Sequence, residues 1–431
     1  MLLSRFHAAT EGRLSGGGRD GLPISDLPRA RQVHDSTGRW RFWLIAYSLV
    51  ILNTGSNLST PLYRDYQARF GFSPLVVTLI FAAYVAVLIP SLLILGPLSD
   101  VIGRRRLLLP ALGVAAAGSL VFAFASQTWW LFAGRVLQGL ALGAAVGPMT
   151  AVLTELEPSG NRRKATLVST VASMGGLGLG PLLAGALAQY APAPAVLPYM
   201  AHIVLLAPVA AAVAILPAGR RPSIRWRPRR PQIPEAARSV LASSGTSSFL
   251  AFTVVGLFLT FIPAYITTLS GSANLLIGGA AVGLFVIFSV LAQFAGYGKP
   301  VRNLQLTGLP LLAVGLALIA VAGQVSSLFV LVVATALVGG GHGLTFLSGL
   351  TAFNEAAPAR HHAEVVSSFW VINYLGIGLP VIGVGFFATV IGLLPAVRYF
   401  AGLVATVCLV LPVILMRRGK YTAAQIDVED G

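Results

Sequence analysis

Arg135 and His342 are titratable side chains that stand inside long apolar runs. A guanidinium at the centre of a membrane helix costs on the order of 2.5–3.5 kcal/mol on insertion scales, and less near an end. Arg135 lies about six residues from one end of its run, so two readings stand: a buried group that orients a polar network or couples to protons, or a snorkelling side chain. His342 sits in Gly339-Gly340-Gly341-His342-Gly343. An unperturbed imidazole titrates at about 6.5, which suits proton or substrate handling. The other reading is a neutral ring bonded to a neighbouring helix. His202 is the other in-run histidine, nearer an end, and the 14 Asp and Glu all lie in tails, loops or run ends.

Amides and aromatic rings complete the inventory. Asn53 and Asn57 are one turn apart, and Gln138, Gln293 and Asn373 are further in-run amides. Trp370 and Tyr374 share a helix face beside Asn373, and Phe261 and Tyr265 are likewise four apart around Pro263. Aromatic walls with a few amides suit a bulky, partly apolar, neutral or weakly cationic ligand. Packing in the core or against lipid is the alternative for the same residues. An anion would pair with Arg135, and dications find no buried carboxylate. A hydrolase pairing of Ser348 with His342 fails on one helix, because six residues at roughly 100° each turn them apart. His361, His362 and Glu364 read as a solvated loop, so no metal and no cofactor is expected.

The runs that hold these residues are membrane helices. The chain of 431 residues is 56% hydrophobic and 10% charged, against about a quarter charged in soluble domains. Twelve runs approach the roughly 20 residues that a bilayer core needs: about 42–63, 74–98, 107–126, 129–153, 165–190, 196–217, 249–268, 275–297, 304–323, 328–353, 365–390 and 396–416. With the N-terminus inside, 26 of the 30 Lys and Arg fall on the inner side, and both termini are cytoplasmic. The net charge of +16 therefore reads as orientation and contact with an anionic inner leaflet, not as nucleic-acid binding. The expected plan is a disordered tail (1–40), a six-helix bundle (41–217), a basic linker (218–245), a second bundle (246–416) and a tail (417–431). No cleavable leader is read at the start of the chain.

The second half repeats the first at an offset of 200. Gly96, Gly139, Gly143, Glu155, Pro158, Gly176 and Gly178 match Gly296, Gly339, Gly343, Glu355, Pro358, Gly376 and Gly378.

Three segments carry denser patterns. Gly96-Pro97-Leu98-Ser99-Asp100-Val101-Ile102-Gly103-Arg104-Arg105-Arg106 is a polar, basic turn between two apolar runs. Gly96 and Gly103 allow close approach and a tight turn, and Asp100 can pair with Arg104 as a latch that gates conformational change. Arg135-Val136-Leu137-Gln138-Gly139 is the second. Gly176-Leu177-Gly178-Leu179-Gly180-Pro181-Leu182-Leu183-Ala184-Gly185 is the third, where Gly180-Pro181 makes a bendable helix with a small-residue face.

These segments resemble, in order, the G-x-L-x-D-x-x-G-R-R/K, R-x-x-Q-G and antiporter G-x-x-x-G-P-x-x-G-G signatures of the major facilitator superfamily. The third match is partial, with Ala184 for a glycine and Leu167 at an upstream glycine position. The first signature has decayed in the second half, where Gly298-Lys299-Pro300-Val301-Arg302 replaces it. The resemblance implies an all-α fold of twelve transmembrane helices in two pseudo-symmetric six-helix bundles, with the substrate path between them. It implies a multi-pass inner-membrane secondary transporter and not an enzyme. The branch it looks most like is the drug:proton antiporters and sugar-efflux-like permeases. That favours proton-coupled efflux of a small molecule by a monomer, with Arg135 and His342 as coupling residues. The absence of an in-run acid departs from that branch and favours the alternative, an uncoupled facilitator or uptake carrier for a sugar or other metabolite. A non-transporting membrane sensor is a third class.

Overall fold

The structure is a computed structural model in which residues 36–216, 241–272, 274–356 and 362–429 are described. The expected tail up to 35 and most of the expected linker lie outside the described residues. Every regular element among the described residues is helical. The first half comprises α1 (Ser36–Asn57), α2 (Tyr63–Phe70), α3 (Pro74–Ile102), α4 (Arg104–Ala123), α5 (Thr128–Glu155), α6 (Arg162–Tyr190) and α7 (Leu197–Ala214). The second comprises α8 (Thr246–Thr260), α9 (Ile262–Ser270), α10 (Leu275–Gly296), α11 (Val301–Val325), α12 (Leu328–Ala356), α13 (His362–Ile391) and α14 (Leu393–Glu429). A π-helical turn, Leu241–Gly245, leads into α8.

Among the described residues, eleven stretches of helix are long and apolar enough to cross a membrane. The twelfth place belongs to α1. Its apolarity is diluted by Arg39 and Arg41 at one end and by Asn53, Thr54, Ser56 and Asn57 at the other. It packs so closely on α6 that a Cβ on Gly176 or Gly180 would strike the Val50 or Thr54 carbonyl.

Two expected spans are broken. The run at 42–63 stops being helical at Asn57, and Tyr63 opens the amphipathic α2, whose Tyr63 and Tyr66 are buried while Arg64, Asp65 and Arg69 are exposed. The run at 249–268 breaks at Phe261, because Pro263 has no amide hydrogen to give Leu259. The last helix continues past the expected end at 416, to Glu429.

The two halves repeat one packing plan. In the first, α5 packs on α3 and α4, and α4 on α7; in the second, α12 packs on α10 and α11, and α11 on α14. The repeated glycines make this possible. Gly139 and Gly143 sit against the carbonyls of Tyr84 and Leu88 on α3, and Gly339 and Gly343 against those of Phe285 and Ser289 on α10. Lipid offers no hydrophobic drive between helices, so backbone approach at small residues carries the association.

The halves meet through α6 with α10 and α3 with α13. Gly185 lies against Leu275, Gly279 against the Pro181 carbonyl and Gly178 against Val286. On the other seam, Gly385 lies against Thr78 and Gly378 against Val85, and the Leu75 amide donates to Thr389 Oγ1 at 3.2 Å. These contacts run from the end that carries α2 and α9 to the middle of the helices, and they close that end. The opposite end carries the basic residues Arg104, Arg105, Arg106, Lys164, Lys299 and Arg302. Large apolar side chains such as Val204, Phe329, Leu379 and Leu403 stay exposed around the bundle, as a lipid-facing belt requires.

Candidate functional site

A cavity of about 40 Å³ lies between the two halves. The first half contributes Asn53 and Asn57 from α1, Phe81 and Tyr84 from α3, Val146 from α5 and Ser173, Met174 and Leu177 from α6. Phe252, Leu259, Trp370, Tyr374 and Ile377 come from α8 and α13. The amide nitrogens of Asn53 and Asn57 donate to the Leu49 and Asn53 carbonyls, both at 2.9 Å. Their amide oxygens remain as acceptors in a wall that is, apart from Ser173, mostly aromatic and apolar. Such a wall takes a partly apolar ligand with a donor or a positive charge.

One layer behind the wall of the first half lies Arg135, fully buried. Its Nε donates to the Tyr63 hydroxyl at 2.7 Å, and its Nη1 donates to the Ser56 carbonyl and to Gln138 Oε1. Its Nη2 has no partner among the described residues. The rings of Tyr63, Phe81, Tyr84 and Phe122 surround the guanidinium at 5.3–5.9 Å. Phe81 and Tyr84 therefore show one face to the cavity and another to the charge. The bonds to Tyr63, Ser56 and Gln138 carry the buried-network reading of Arg135 over the snorkelling one. Gln138 also donates to the Gly55 carbonyl at 3.0 Å, so it serves the bundle interior and not the central cavity.

His342 occupies the corresponding layer of the second half. Phe252, which lines the cavity, lies 5.5 Å from its ring, with Phe285 and Phe346 at 5.1 and 5.9 Å. Nδ1 pairs with Ser289 Oγ at 2.8 Å, and Gln293 donates to the same oxygen at 3.3 Å. The Ser289 hydroxyl can donate to Nδ1 or accept from it while it accepts from Gln293, and Nε2 has no partner among the described residues. His202 differs. It pairs with Ser119 Oγ at 2.8 Å and with the Ile51 carbonyl at 3.1 Å, so both ring nitrogens are satisfied. Ser348 donates to the Thr345 carbonyl and is no partner of His342.

Of the ligand-binding residues expected from sequence, Asn53, Asn57, Trp370 and Tyr374 come together at this cavity. Five lie elsewhere. Gln138 and Gln293 are buried in their own halves, and Asn373 accepts from Ser248 Oγ at 2.6 Å. Tyr265 points into its own half, donating to the Ile319 carbonyl at 2.8 Å. Phe261 lines a separate cavity at the α2/α9 end. Sequence reasoning passed over Phe81, Tyr84 and Phe252. Phe81 and Tyr84, three apart on one helix face, carried the same signal as Trp370 and Tyr374.

At the basic end, Gly103 turns the chain between α3 and α4 with φ of 92°, a conformation that favours glycine. Gly96 has open space around it, so close helix approach is not its role. The side chain of Asp100 lies outside the described residues. Arg104 forms a two-pronged pair with Glu155 at the end of α5, including Nη2 to Oε1 at 2.6 Å. The pairing of Arg104 with Asp100 expected from sequence lies outside the described residues; the partner described for Arg104 is Glu155. Glu157, two residues on, is buried and accepts from the Ser159 and Asn161 amides at 2.8 and 2.7 Å and from Lys164 Nζ at 2.9 Å. The Lys164 ammonium, then the amides, outweigh its burial and lower the carboxyl to about 2. Lys164 also lies 5.8 Å from the Phe42 ring, joining α6 to α1. Gly180 and Pro181 face different ways: Gly180 meets α1, and the Pro181 carbonyl meets Gly279 of the other half.

The family model described as Major Facilitator Superfamily matches residues 43–381. Relatives provisionally named multidrug resistance protein MdtD, from Klebsiella pneumoniae strain 342 and Cronobacter sakazakii, are each 29% identical over 170 residues. That is 39% of this chain and 34% of each relative, so the match spans about a third of their length. Among solved structures, a bacterial homologue of the human lysosomal transporter Spinster, inward-facing and unoccupied, aligns with a TM-score of 0.67 at 16% identity, over 88% of this chain and 95% of that one. A chain from a study of proton-dependent oligopeptide transporters aligns with a TM-score of 0.66 at 14% identity, covering 88% and 100%. At these identities the likeness is one of fold.

Proposed function

Because the chain belongs to the Major Facilitator Superfamily, we propose that it is a multi-pass secondary transporter that exports a small, partly hydrophobic molecule by alternating access. The observation that carries the reading is the cavity between the halves, closed by glycine seams at the α2/α9 end. Rocking of one half on the other moves such a cavity from one face to the other. The basic end faces the cytoplasm, by the positive-inside bias, and both termini lie there. The relatives' name supports a drug-like cargo.

Proton coupling falls to Arg135 and His342, each one ring behind the cavity wall. A ligand that moves Phe81, Tyr84 or Phe252 changes the surroundings of one of them without touching it. No carboxylate lines the cavity among the described residues. That observation favours the second reading, an uncoupled carrier for a neutral metabolite.

Proteoliposomes with an imposed pH gradient separate the two. Hydrophobic cations, sugars and amino acids are added in turn. Substrate-induced proton movement, lost in Arg135→Ala or His342→Ala, supports antiport. Counterflow of a labelled solute without proton movement overturns antiport and leaves the uncoupled carrier.

A further inference from the structure

Two side-chain to main-chain bonds cross between the halves at the α2/α9 end. On one seam, the Leu275 amide at the start of α10 donates to Gln189 Oε1 in the last turn of α6, at 2.9 Å. On the other, the Leu75 amide at the start of α3 donates to Thr389 Oγ1 in the last turn of α13, at 3.2 Å. Leu75 and Leu275 are 200 residues apart, and so are Gln189 and Thr389. The two bonds are thus mates in the register of the internal repeat, and they are exchanged. Each half supplies the side chain that caps a helix of the other.

Local chemistry fixes the direction of both bonds. A backbone amide only donates, so Gln189 turns its oxygen and not its nitrogen to Leu275. Thr389 gives its own hydrogen to the Gly385 carbonyl at 2.8 Å, which leaves its lone pairs for Leu75. The first amides of a helix have no partner within it. In α3, Pro74 has no amide hydrogen, and Ser73 offers its carbonyl to Val76 and Val77. In α10, Asn274 Oδ1 takes the Leu276 amide. Leu75 and Leu275 take their caps from the opposite half. Beside them, Asn274 Nδ2 stands 3.5 Å from the Tyr190 hydroxyl, too long to weigh against these bonds.

We infer that Gln189 and Thr389 are paired latches of the closed end. Their caps form while the halves are together there, and so favour the conformation seen here. Both side chains are exposed. Water therefore takes each amide when the halves part, and each latch biases the balance without locking it. The inference rests on the alternating-access reading, and is independent of the cargo and of proton coupling.

The test uses the full chain in nanodiscs. Ala68→Cys and Thr268→Cys, exposed on α2 and α9, carry spin labels, while the native Cys408 is buried. Double electron–electron resonance gives the ratio of long to short distances, which is the ratio of open to closed ends. Thr389→Val and Gln189→Met should each raise it about fivefold, the usual effect of losing a helix cap, and the pair of substitutions about 25-fold. Thr389→Ser and Gln189→Glu keep an acceptor oxygen and should stay at or below the native ratio. Asn161→Ala removes a cap made inside one half, at the opposite end of α6, and should not raise it. A fall in thermal stability with an unchanged ratio would make the two caps ordinary bonds of the fold, and the proposal fails. The proposal also fails if Asn161→Ala opens the end as much as the latch variants do. Gly279→Ala, which wedges the α6/α10 seam, separates the two readings. If it alone lengthens the distance, the halves rock and these latches do not hold them. If no variant lengthens it, alternating access fails and the latches with it.

Discussion

The Nε of Arg135 donates to the hydroxyl of Tyr63, tying the N-terminal third of α5 to the first residue of the short helix α2. The charge meets no carboxylate there. It is held by a hydroxyl, a carbonyl, an amide and four rings. Tyr63→Phe keeps the ring and removes the acceptor, and should lower stability by about 1.5–3 kcal/mol, the range for a hydrogen bond to a charged group. Arg135→Ala should fold less stably still and lose at least about tenfold in transport, or about 1.4 kcal/mol of barrier. Thermal unfolding followed by tryptophan fluorescence, with vesicle uptake in parallel, checks both. Full transport in Arg135→Ala would remove the residue from the mechanism.

The two buried histidines should separate in their effects. His202 is bonded at both nitrogens and packs on Gly55. His202→Ala should cost about 2 kcal/mol of stability, at about 1 kcal/mol per bond. His342 keeps one nitrogen without a partner among the described residues. His342→Gln should unfold near the native temperature and lose proton movement in the pH-gradient assay. The reverse pattern would exchange the two assignments.

The Glu157 turn predicts an acid-labile step. Its carboxyl is lowered from 4.5 to about 2 by Lys164 first and by the amides. A depressed carboxylate stabilises the fold above its unfolded value, and this contribution disappears as pH falls from about 4.5 towards 2. Thermal stability of the native chain should therefore drop through that window. Glu157→Gln should show less of the drop, and the two curves should converge near pH 2. Parallel curves across the window would detach Glu157 from acid stability.

The seams between the halves can be wedged. A Cβ at Gly279 would strike the Pro181 carbonyl, whereas Gly283, one turn on, has open space. Gly279→Ala should shift the conformation towards opening at the α2/α9 end, and Gly283→Ala should not. Spin-label distances between α2 and α9 report the difference. Equal distances in both variants would mean that the seam absorbs the methyl group.

Arg104 and Glu155 offer a milder test. Side-chain exposures of 23% and 63% place the pair at the surface, where such bridges contribute about 0–1 kcal/mol. A double-mutant cycle with Arg104→Gln and Glu155→Gln should give a coupling in that range, weakened by salt. A coupling several times larger would mark a pair shielded from solvent.

Span number and order could be read from sequence because a bilayer imposes one length on every helix, and the repeat register proved to be a packing register: Gly139 and Gly339 meet matching carbonyls. The breaks at Asn57 and Phe261 were harder. Hydropathy runs on through Pro61 and Pro263, while the missing amide hydrogens decide where helix ends. Four of the thirteen residues of the cavity wall, Asn53, Asn57, Trp370 and Tyr374, were visible as polar or aromatic pairs one turn apart. Gln138, Gln293 and Asn373 misled because an in-span amide looks the same whether it faces a ligand or a neighbouring helix. The Arg104–Glu155 pair could not be read from sequence, because its partners stand 51 residues apart.

The seam of α6 on α10 meets main chain at two points, Gly185 on Leu275 and Gly279 on Pro181, and the Val286 side chain at Gly178. At the two main-chain points there are no rotamers to immobilise when the seam closes. The cost of closing there is set by backbone contact, and side-chain ordering falls to the Val286 contact alone among these three.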